Sequence, residues 1–355
     1  MKWAGGKARL LDRLTKRLPA GRFATYAEPF IGGGAMFFAL AAEPERRFER
    51  AILADKNAEL VSLYQAIKVD VEALIDRLRG YQDDHLRLGD DERRKHFYTV
   101  RALATETMTT VERGARLLFL NKTCFNGLWR VNAAGQFNVP FGKYTSPRIL
   151  DIDVLRAAHE ALSVAEVRLA DFSEITRELR RGDFAYFDPP YVPVSKTANF
   201  TAYASARFGP AEQDRLAAEL AILRKRGVSA MLSNAATEEM RTLYEGHGFF
   251  VHTIQAARAI NSDPKKRGDV SELVVTTYET GEPRTTRVPP SPVALAQPAE
   301  PAAKPVPRRA KAPAKLAPKA AKAAKPAKPA KPAKPARPAK PANPAKKPSR
   351  RTVAG

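Results

Sequence analysis

The feature of the sequence that most constrains the fold is a strand, a glycine-rich loop and a helix that follow one another near the start of the chain. Tyr26–Glu28 are typical of a strand, Gly32–Gly34 form the loop, and Ala35–Leu40 are typical of a helix. Glycines at this place allow the backbone to come close to a bound nucleotide moiety. This order predicts the opening unit of a Rossmann-like α/β sheet.

A second predicted strand, Ala51–Ala54, ends at Asp55, 21 residues after Gly34. An acid at this place can accept hydrogen bonds from both hydroxyls of a ribose. The glycine pattern is Phe-x-Gly-x-Gly, starting at Phe30, and it lacks the spacing that seats a pyrophosphate on a helix N-terminus. We therefore expect a nucleoside without a diphosphate. The alternative is a tight strand–helix turn with an aspartate that caps the helix.

A rigid acidic loop, Asp188-Pro189-Pro190-Tyr191, follows the short apolar strand Phe184–Phe187. Proline has a fixed φ and no N–H, so two in succession stiffen the loop and leave the carbonyls of Asp188 and Pro189 free to accept hydrogen bonds. One carboxylate, fixed carbonyls and an aromatic face suit a planar group that carries an NH2. Ligands bind at the carboxyl edge of open α/β sheets, which favours this interpretation over a plain surface turn.

The first residues, Lys2-Trp3-Ala4-Gly5-Gly6-Lys7, lead into a predicted helix whose leucines recur at helical spacing up to Leu18. Two lysines and a tryptophan around a glycine pair can hold an anion or an aromatic ligand. The alternative is a frayed terminus without a function.

From Asn57 to about Val167 the sequence is mostly helical and charged, which predicts an inserted helical subdomain. Residues 121–144 stand out within it, because Asn, Arg, Gln and Lys alternate there with Phe, Trp and Tyr around a turn at 132–135. Such a hairpin supplies hydrogen bonds to base edges, phosphate contacts and stacking faces. The alternative is a polar hairpin that only packs on its helices.

The sheet resumes after the insertion with four further predicted strands in addition to the one before Asp188. They are Val167–Ala170, which ends at Asp171-Phe172, then Val228–Leu232, Phe249–Ile254 and Glu272–Tyr278. A polar loop at 195–203 and a basic loop at 258–267 connect these elements, and Pro210 marks the first turn of a helix with an apolar face.

The charge of the chain is concentrated in its last part. The formal net charge is +22, and residues 301–355 hold 17 Lys and Arg and no acid, which leaves 43 basic against 38 acidic residues in 1–300. From Lys325 the triplet Lys-Pro-Ala recurs seven times, with Arg337 and Asn343 in place of Lys in two copies. We expect 282–355 to be disordered and to bind duplex DNA without sequence preference, rather than only to solubilise the protein.

Composition excludes several other classes of protein. Cys124 is the only cysteine, so an intrachain disulfide is impossible and a cytoplasmic location is expected. The five histidines show no metal-ligand spacing, so no metal site is predicted. The most apolar early stretch, 27–42, is interrupted by an acid, a proline and three glycines, which argues against a membrane span.

Seven blocks of sequence, in this order, resemble the Dam-type (D12 class) DNA N6-adenine methyltransferases. They are Lys-Trp-Ala-Gly-Gly-Lys at 2–7, Glu-Pro-Phe-x-Gly-x-Gly at 28–34, Ala-Asp-x-Asn at 54–57, Asn-Gly-Leu-x-Arg-x-Asn at 126–132, Gly-x-Phe-Asn-Val-Pro-Phe-Gly at 135–142, Asp-Pro-Pro-Tyr at 188–191 and Thr-Ala-Asn-Phe-Thr-Ala-Tyr at 197–203. The resemblance extends from residue 2 to about residue 279. One such block is a weak signal, whereas seven in one order are highly specific.

The resemblance implies an α/β fold, with the Rossmann-like sheet of an S-adenosylmethionine-dependent methyltransferase and an inserted, mainly helical DNA-recognition subdomain. Residues 1–57 and 167–281 would form the catalytic domain, 58–166 the recognition domain with its hairpin near 126–142, and 282–355 a disordered tail. We expect a monomer that acts on double-stranded DNA, uses S-adenosylmethionine and needs no metal.

The resemblance also assigns roles to single residues. The expected S-adenosylmethionine-binding residues are Trp3, Lys7, Phe30, Gly32, Gly34, Asp55, Asp171, Phe172 and Asp188. The reaction would be methyl transfer to N6 of an adenine that is flipped out of the duplex. Asp188 and the Pro189 carbonyl would accept the two N6 hydrogens, Pro190 would keep the loop rigid, and Tyr191 would stack on the base.

The expected DNA-contacting residues lie at the first motif and in the hairpin. They are Lys2, Phe125, Asn126, Leu128, Arg130, Asn138 and Lys143. Phe125 matches an aromatic that inserts into the base stack. Lys143 stands where some relatives carry Arg, and Lys reaches guanine O6 and N7 without the rigid fork of a guanidinium. GATC is the expected target sequence.

Two alternatives belong to other functional classes. One is a basic DNA-binding protein whose methyltransferase body is degenerate, against which the intact Asp188-Pro189-Pro190-Tyr191 motif argues. The other is an RNA or protein N-methyltransferase, which the hairpin at 121–144 disfavours because it resembles readers of duplex DNA.

Overall fold

The computed structural model of the chain describes residues 1, 3, 6–132, 134–191, 208–257 and 269–281. Several predictions fall outside these residues: the DNA contact of Lys2, the polar loop 195–203 with the motif at 197–203, the basic loop 258–267 and the tail 282–355.

Seven strands of the described residues form a single sheet. In chain order they are β1 (Phe23–Glu28), β2 (Phe48–Asp55), β3 (Ala165–Leu169), β4 (Phe184–Phe187), β5 (Ser229–Ala235), β6 (Phe250–Ala257) and β7 (Asp269–Thr276). Across the sheet the order is β3-β2-β1-β4-β5-β7-β6. Strand β7 is antiparallel to both of its neighbours and the other pairs are parallel. The predicted Rossmann-like α/β fold is confirmed.

Ten α-helices are present among the described residues. They are α1 (Leu11–Thr15), α2 (Ala35–Ala41), α3 (Ala58–Val69), α4 (Val71–Arg87), α5 (Asp90–Ala102), α6 (Thr110–Thr123), α7 (Ile152–Leu162), α8 (Phe172–Glu178), α9 (Pro210–Lys225) and α10 (Glu238–Gly246). Helices α3 to α7 all lie between β2 and β3 in the chain. None of these ten helices is both long enough and apolar enough to cross a membrane.

The order of the strands reverses between β1 and β4, which are neighbours in the centre of the sheet. They pair in parallel through Tyr26 with Phe184 and Ala27 with Ala185. The loops that follow them therefore leave the same edge of the sheet, side by side. In open α/β sheets a ligand binds at this reversal, outside the carboxyl ends of the strands. The topology thus brings the glycine loop and the Asp188 loop to one place.

Both faces of the central strands are buried, and alternate residues enter different cores. Tyr26 and Tyr186 belong to a core shared with the inserted helices, whereas Ala27 and Phe187 belong to a core formed with α8, α9 and α10. All four residues of β4 are buried. Continuous apolar runs such as β4 are what a parallel strand covered on both faces requires.

The inserted helices are held together by close packing and by a buried ion pair. A Cβ added to Gly114 of α6 would lie 3.0 Å from the Leu63 Cα of α3, so glycine lets the two helices approach closely. Arg116 of α6 is 3% exposed and its Nη1 lies 2.5 Å from Oε2 of Glu59. Burial raises the pKa of Glu59, against the opposing charge of Arg116. Loss of one partner would leave an unpaired buried charge, which is strongly destabilising.

Several predicted element boundaries were wrong by a few residues. Strand β7 begins at Asp269 rather than Glu272 and ends at Thr276 rather than Tyr278. Its first residues are paired with the end of β6, Ala257 with Asp269 and Ala256 with Val270. Strand ladders are backbone interactions between distant segments, so an apolar pattern does not mark where they end.

Candidate functional site

The glycine loop after β1 is held in one conformation by its own backbone and by a tyrosine from the insertion. Gly32 and Gly34 have φ values of 46° and 67°, which disfavour residues with a Cβ. The Gly34 N–H donates to the Ile31 carbonyl at 2.7 Å, and the Tyr64 hydroxyl donates to the Gly32 carbonyl at 3.1 Å. A Cβ on Gly34 would lie 2.8 Å from the Tyr64 Oη, so no side chain fits there.

Trp3 covers this loop from outside. A Cβ added to Gly32 would lie 2.9 Å from the Trp3 Cδ1, and one added to Gly33 would lie 3.4 Å from the Trp3 Cβ. The structure therefore brings together the first motif and the glycine loop, as expected for two parts of one binding site.

Asp55 connects the end of β2 to the glycine loop. Its Oδ2 accepts the Gly32 N–H at 3.3 Å and its Oδ1 accepts the Asn57 N–H at 2.9 Å. Burial raises the pKa of Asp55, although hydrogen bonds from backbone N–H groups oppose the shift. The carboxylate thus lies beside the loop, where the sequence predicts a contact with a ribose.

Glu28 is a buried acid at the base of the site. It is 2% exposed, and its Oε2 accepts the Tyr26 hydroxyl at 2.6 Å and the Phe37 N–H at 3.1 Å. Burial raises the pKa of Glu28 to about 8, and the nearby charge of Asp188 adds to the effect. Glu28 is therefore mostly neutral at pH 7 and joins the end of β1 to the first turn of α2.

Lys7 is a buried cation at the centre of the site. It is 3% exposed, and its Nζ lies 2.7 Å from Oδ1 of Asp188 and 3.8 Å from Oε2 of Glu272 on β7. The same ammonium lies 4.7 Å from the centroid of the Tyr191 ring. The Tyr191 hydroxyl in turn donates to Oε2 of Glu272 at 2.9 Å. Four residues from three distant parts of the chain form one cluster, which we call the acid–lysine cluster: Lys7, Asp188, Tyr191 and Glu272.

The environment of this cluster fixes the protonation of Tyr191. Burial raises the pKa of its hydroxyl well above the ordinary value, and the charges of Asp188 and Glu272 raise it further. Tyr191 therefore stays a hydrogen-bond donor. Burial also raises the pKa of Asp188, but the charge of Lys7 and its hydrogen bond favour the carboxylate.

Asp171 and Phe172, which are expected to bind S-adenosylmethionine, lie at the start of α8, and basic side chains already contact both of them. The Asp171 carboxylate accepts two hydrogen bonds from Arg215, at 2.7 and 2.9 Å, and Lys56 lies 2.6 Å from its Oδ2. Arg215 holds the pKa of this carboxyl far below its usual range. The Arg215 guanidinium also covers the buried Phe172 ring at 4.0 Å.

The aromatic Phe30 of the glycine motif packs directly against this segment. Its ring lies 5.5 Å from Phe172 and meets Phe208 edge-on at 5.4 Å. Two residues that the sequence assigns to the same ligand, 142 positions apart, are thus neighbours.

The predicted hairpin begins with a single 3-10 turn, Phe125–Gly127, after α6. Phe125 is 51% exposed, an unusual state for so large an apolar side chain. Asn126 has a φ of 55°, which a short polar side chain tolerates. The Asn121 amide donates to the Gly127 carbonyl at 3.0 Å and fixes the turn from below.

Polar residues of the hairpin are oriented by bonds to one another. Antiparallel bridges join Cys124 to Phe141 and Val131 to Phe137. The Arg130 Nε donates to Oδ1 of Asn138 at 2.7 Å, so these two predicted DNA contacts form a pair. Leu128 is half-buried, and Lys143, near the C-terminal end of the hairpin, is exposed.

Sequence reasoning missed Glu28, Glu272 and Trp129 as members of the site. Glu28 lies inside a recognised motif, yet its burial could not be read from it. The sequence does hold a signal for Glu272, because this acid directly precedes the apolar run 273–275. Among the described residues, no group of three or more His, Cys, Asp or Glu side chains is placed to hold a metal ion.

Comparison with known proteins identifies a matching family and related sequences. A model of the D12 class N6 adenine-specific DNA methyltransferase family matches residues 3–260. The type II methyltransferase M.MjaIII of Methanocaldococcus jannaschii is 38% identical over 287 residues, which cover 78% of this chain and 98% of that protein. The DNA adenine methylase of Haemophilus influenzae is 35% identical over 77% of this chain and 91% of its own length. An rRNA methyltransferase from Streptomyces viridochromogenes aligns with 13% identity over 76% of this chain and 82% of its own, at a TM-score of 0.32.

Proposed function

Because this chain belongs to the D12 class of N6 adenine-specific DNA methyltransferases, we propose that it transfers the methyl group of S-adenosylmethionine to an adenine flipped out of duplex DNA, with GATC as the target sequence. One observation carries the proposal for this chain. The glycine loop and the Asp188 loop follow two strands, β1 and β4, that are paired neighbours at the reversal of the sheet. A methyl donor and an acceptor base need two such adjacent half-sites.

The residues on the donor side suit S-adenosylmethionine. The loop at Gly32 and Gly34 has no room for side chains, Asp55 offers oxygens beside it, and the half-buried Phe30, which packs on Phe172, offers an aromatic edge. When bound, S-adenosylmethionine supplies an electrophilic methyl group on a positively charged sulfur. The acid–lysine cluster has two carboxylates and one ammonium, so its net negative charge favours a positive centre next to it.

On the acceptor side, Asp188 and the Pro189 carbonyl accept the two N6 hydrogens of the target adenine. Lys7 contacts the Asp188 Oδ1 at 2.7 Å, and a carboxylate has further acceptor sites, one of which is assigned to N6. With both hydrogens held, the N6 lone pair is directed at the methyl donor, and Asp188 stabilises the positive charge that develops on N6.

Tyr191 orients the base by stacking. Its hydroxyl is held by Glu272 and one face of its ring is occupied by the Lys7 ammonium at 4.7 Å. Adenine would therefore stack on the opposite face. The fixed ring reduces the freedom of the flipped base and so lowers the entropic part of the barrier.

The hairpin residues select the site and the tail adds affinity. Exposed Phe125 would fill the gap that the flipped base leaves, while the Arg130–Asn138 pair and Lys143 would contact base edges. The 17 positive charges in 301–355 would give a salt-sensitive grip that does not depend on sequence.

The direct test is sequencing of N6-methyladenine in host DNA with and without the protein. We expect new methylation at the adenine of GATC. Methylation confined to another sequence would refute the target but keep the reaction, and no methylated adenine would refute the proposed reaction. Labelled methyl transfer from S-adenosylmethionine to duplex DNA, RNA and protein then separates DNA from the other acceptors.

The role of Asp188 is tested by Asp188→Ala. We expect loss of methyl transfer with duplex binding retained, because the carboxylate acts on the flipped base rather than on the backbone. Asp90→Ala is a matched control, since the Asp90 side chain is almost fully exposed on an inserted helix. Retained transfer by Asp188→Ala would contradict the assignment.

A further inference from the structure

The two tryptophans of the chain, Trp3 and Trp129, are stacked on each other. The sequence contains two tryptophans, 126 positions apart. Their ring centroids lie 6.0 Å apart with an angle of 18° between the planes, which is an offset-stacked arrangement. Trp3 comes from the first motif and Trp129 from the hairpin, so the stack joins the donor side of the proposed site to its DNA-reading side.

On the donor side, Trp3 contacts the backbone of the glycine loop itself. An added Cβ at Gly32 would lie 2.9 Å from the Trp3 Cδ1 and 3.1 Å from its Nε1. The indole therefore leaves no space between itself and the loop. A shift of the Trp3 ring must be accompanied by a shift of the loop that is assigned to the cofactor, or open a gap between them.

On the other side, Trp129 is built into the hairpin. Its ring packs on Phe137 at 4.9 Å, and Phe137 is 4% exposed and bridged to Val131 on the opposite strand. In the chain, Trp129 lies between Leu128 and Arg130, two of the expected base contacts. A change in the hairpin on DNA binding must therefore reach the Trp129 ring.

We propose that Trp129 is a positioning residue that couples DNA recognition to cofactor binding through Trp3. The inference rests on the proposed use of S-adenosylmethionine. DNA that orders the hairpin fixes Trp129, and Trp129 then fixes Trp3 on the glycine loop. The protein therefore loses less conformational entropy when the cofactor binds. By linkage, bound cofactor strengthens DNA binding by the same factor.

The sequence motifs place Trp129 in the hairpin but assign no role to this residue by itself. Trp129 occupies the unspecified position of the block Asn-Gly-Leu-x-Arg-x-Asn at 126–132. It has no assigned contact with base or cofactor, so its effect is on the coupling between the two sites rather than on either site alone.

The test measures the affinity of the full-length protein for S-adenosylhomocysteine, which cannot transfer a methyl group. The affinity is measured with and without a DNA duplex that contains the proposed target sequence, GATC. For the unmodified protein we expect the duplex to tighten this affinity at least about fivefold, within the usual range of coupling between sites. Trp129→Leu should reduce the factor to less than about twofold. Trp129→Phe, which keeps a ring, should restore most of it. A purely structural role would weaken both affinities and leave their ratio unchanged.

A matched control is Tyr98→Leu, which removes a half-buried ring from the inserted helices; Tyr98 packs on Phe97 and Arg101. This variant should keep the full coupling factor. An unchanged factor in Trp129→Leu, or no coupling in the unmodified protein, would overturn the inference. If the unmodified protein binds no S-adenosylhomocysteine in either condition, the proposed cofactor itself is refuted.

Fluorescence gives an independent reading, because tryptophan emission of this chain comes from the stacked pair. In Trp129→Phe and Trp129→Leu the remaining tryptophan is Trp3, which reports the glycine loop. Addition of duplex should change the Trp3 emission in the Phe variant and leave it unchanged in the Leu variant. Equal changes in both variants would show that DNA reaches the loop by another route.

Discussion

Replacement of Glu28 by Gln should make the protein more stable at neutral and alkaline pH. Glu28 is 2% exposed, and burial raises its pKa to about 8 from an ordinary value of 4.5. Below pH 4.5 the carboxyl is protonated in both folded and unfolded chains. Between pH 4.5 and 8 the unfolded chain releases this proton while the folded chain keeps it, so stability falls as the pH rises.

The size of the effect follows from these two pKa values. One pH unit between them corresponds to about 1.4 kcal/mol, so the acid costs about 3 kcal/mol at pH 7 and about 5 kcal/mol well above pH 8. In Glu28→Gln the amide oxygen can replace Oε2, which accepts from Tyr26 at 2.6 Å and from Phe37 at 3.1 Å. The amide does not titrate, so the cost disappears.

The assay is urea unfolding at several pH values between 5 and 8.5. The unfolding free energy of Glu28→Gln, relative to that of the unmodified protein, should rise by about 4 kcal/mol over this range. Glu49→Gln, an exposed position on the adjacent strand β2, is the control and should show no such change. Parallel pH profiles for Glu28→Gln and the unmodified protein would refute the argument.

Three further substitutions test other parts of the structure. Glu272→Gln should lower kcat about tenfold, or about 1.4 kcal/mol, because it removes one charge beside Lys7 and weakens the hydrogen bond from Tyr191. The control is Glu279→Gln, an exposed position that should have no effect. Equal kcat values for Glu272→Gln and the unmodified protein would contradict this role of Glu272. When the pH falls from 7 to 5, the unfolding free energy of His85→Phe should fall by about 1 to 2 kcal/mol less than that of the unmodified protein. The reason is that burial lowers the pKa of His85 to about 4 and neither ring nitrogen has a hydrogen-bond partner within the described part of the chain; an unaltered acid profile in chemical unfolding would count against it. Gly34→Ala should lower the melting temperature and cost about 2 to 4 kcal/mol, through its φ of 67° and the contact with the Tyr64 hydroxyl, and an unchanged melting temperature would show that the loop can relax.

Local sequence patterns determined the main architecture. The strand, glycine loop and helix around Gly32–Gly34, and the apolar run before Asp188, each signal a short element whose form depends on neighbouring residues. Since parallel strands deliver their loops to one edge of a sheet, the meeting of these two loops could also be predicted. The resemblance of the seven motifs to this family, which the comparisons confirm, indicated methylation of DNA adenine.

The contacts that tune the site were decided by the tertiary structure alone. Lys7 and Asp188 are 181 positions apart, and Glu272 approaches them only because β7 enters the sheet between β5 and β6. The high pKa of Glu28 has the same origin, because burial depends on everything packed around it. Periodicity in a sequence tells which side chains are buried but not which distant side chains they meet. Stacking of Trp3 on Trp129 is such a meeting, and it exists because the folded chain places the hairpin against the glycine loop.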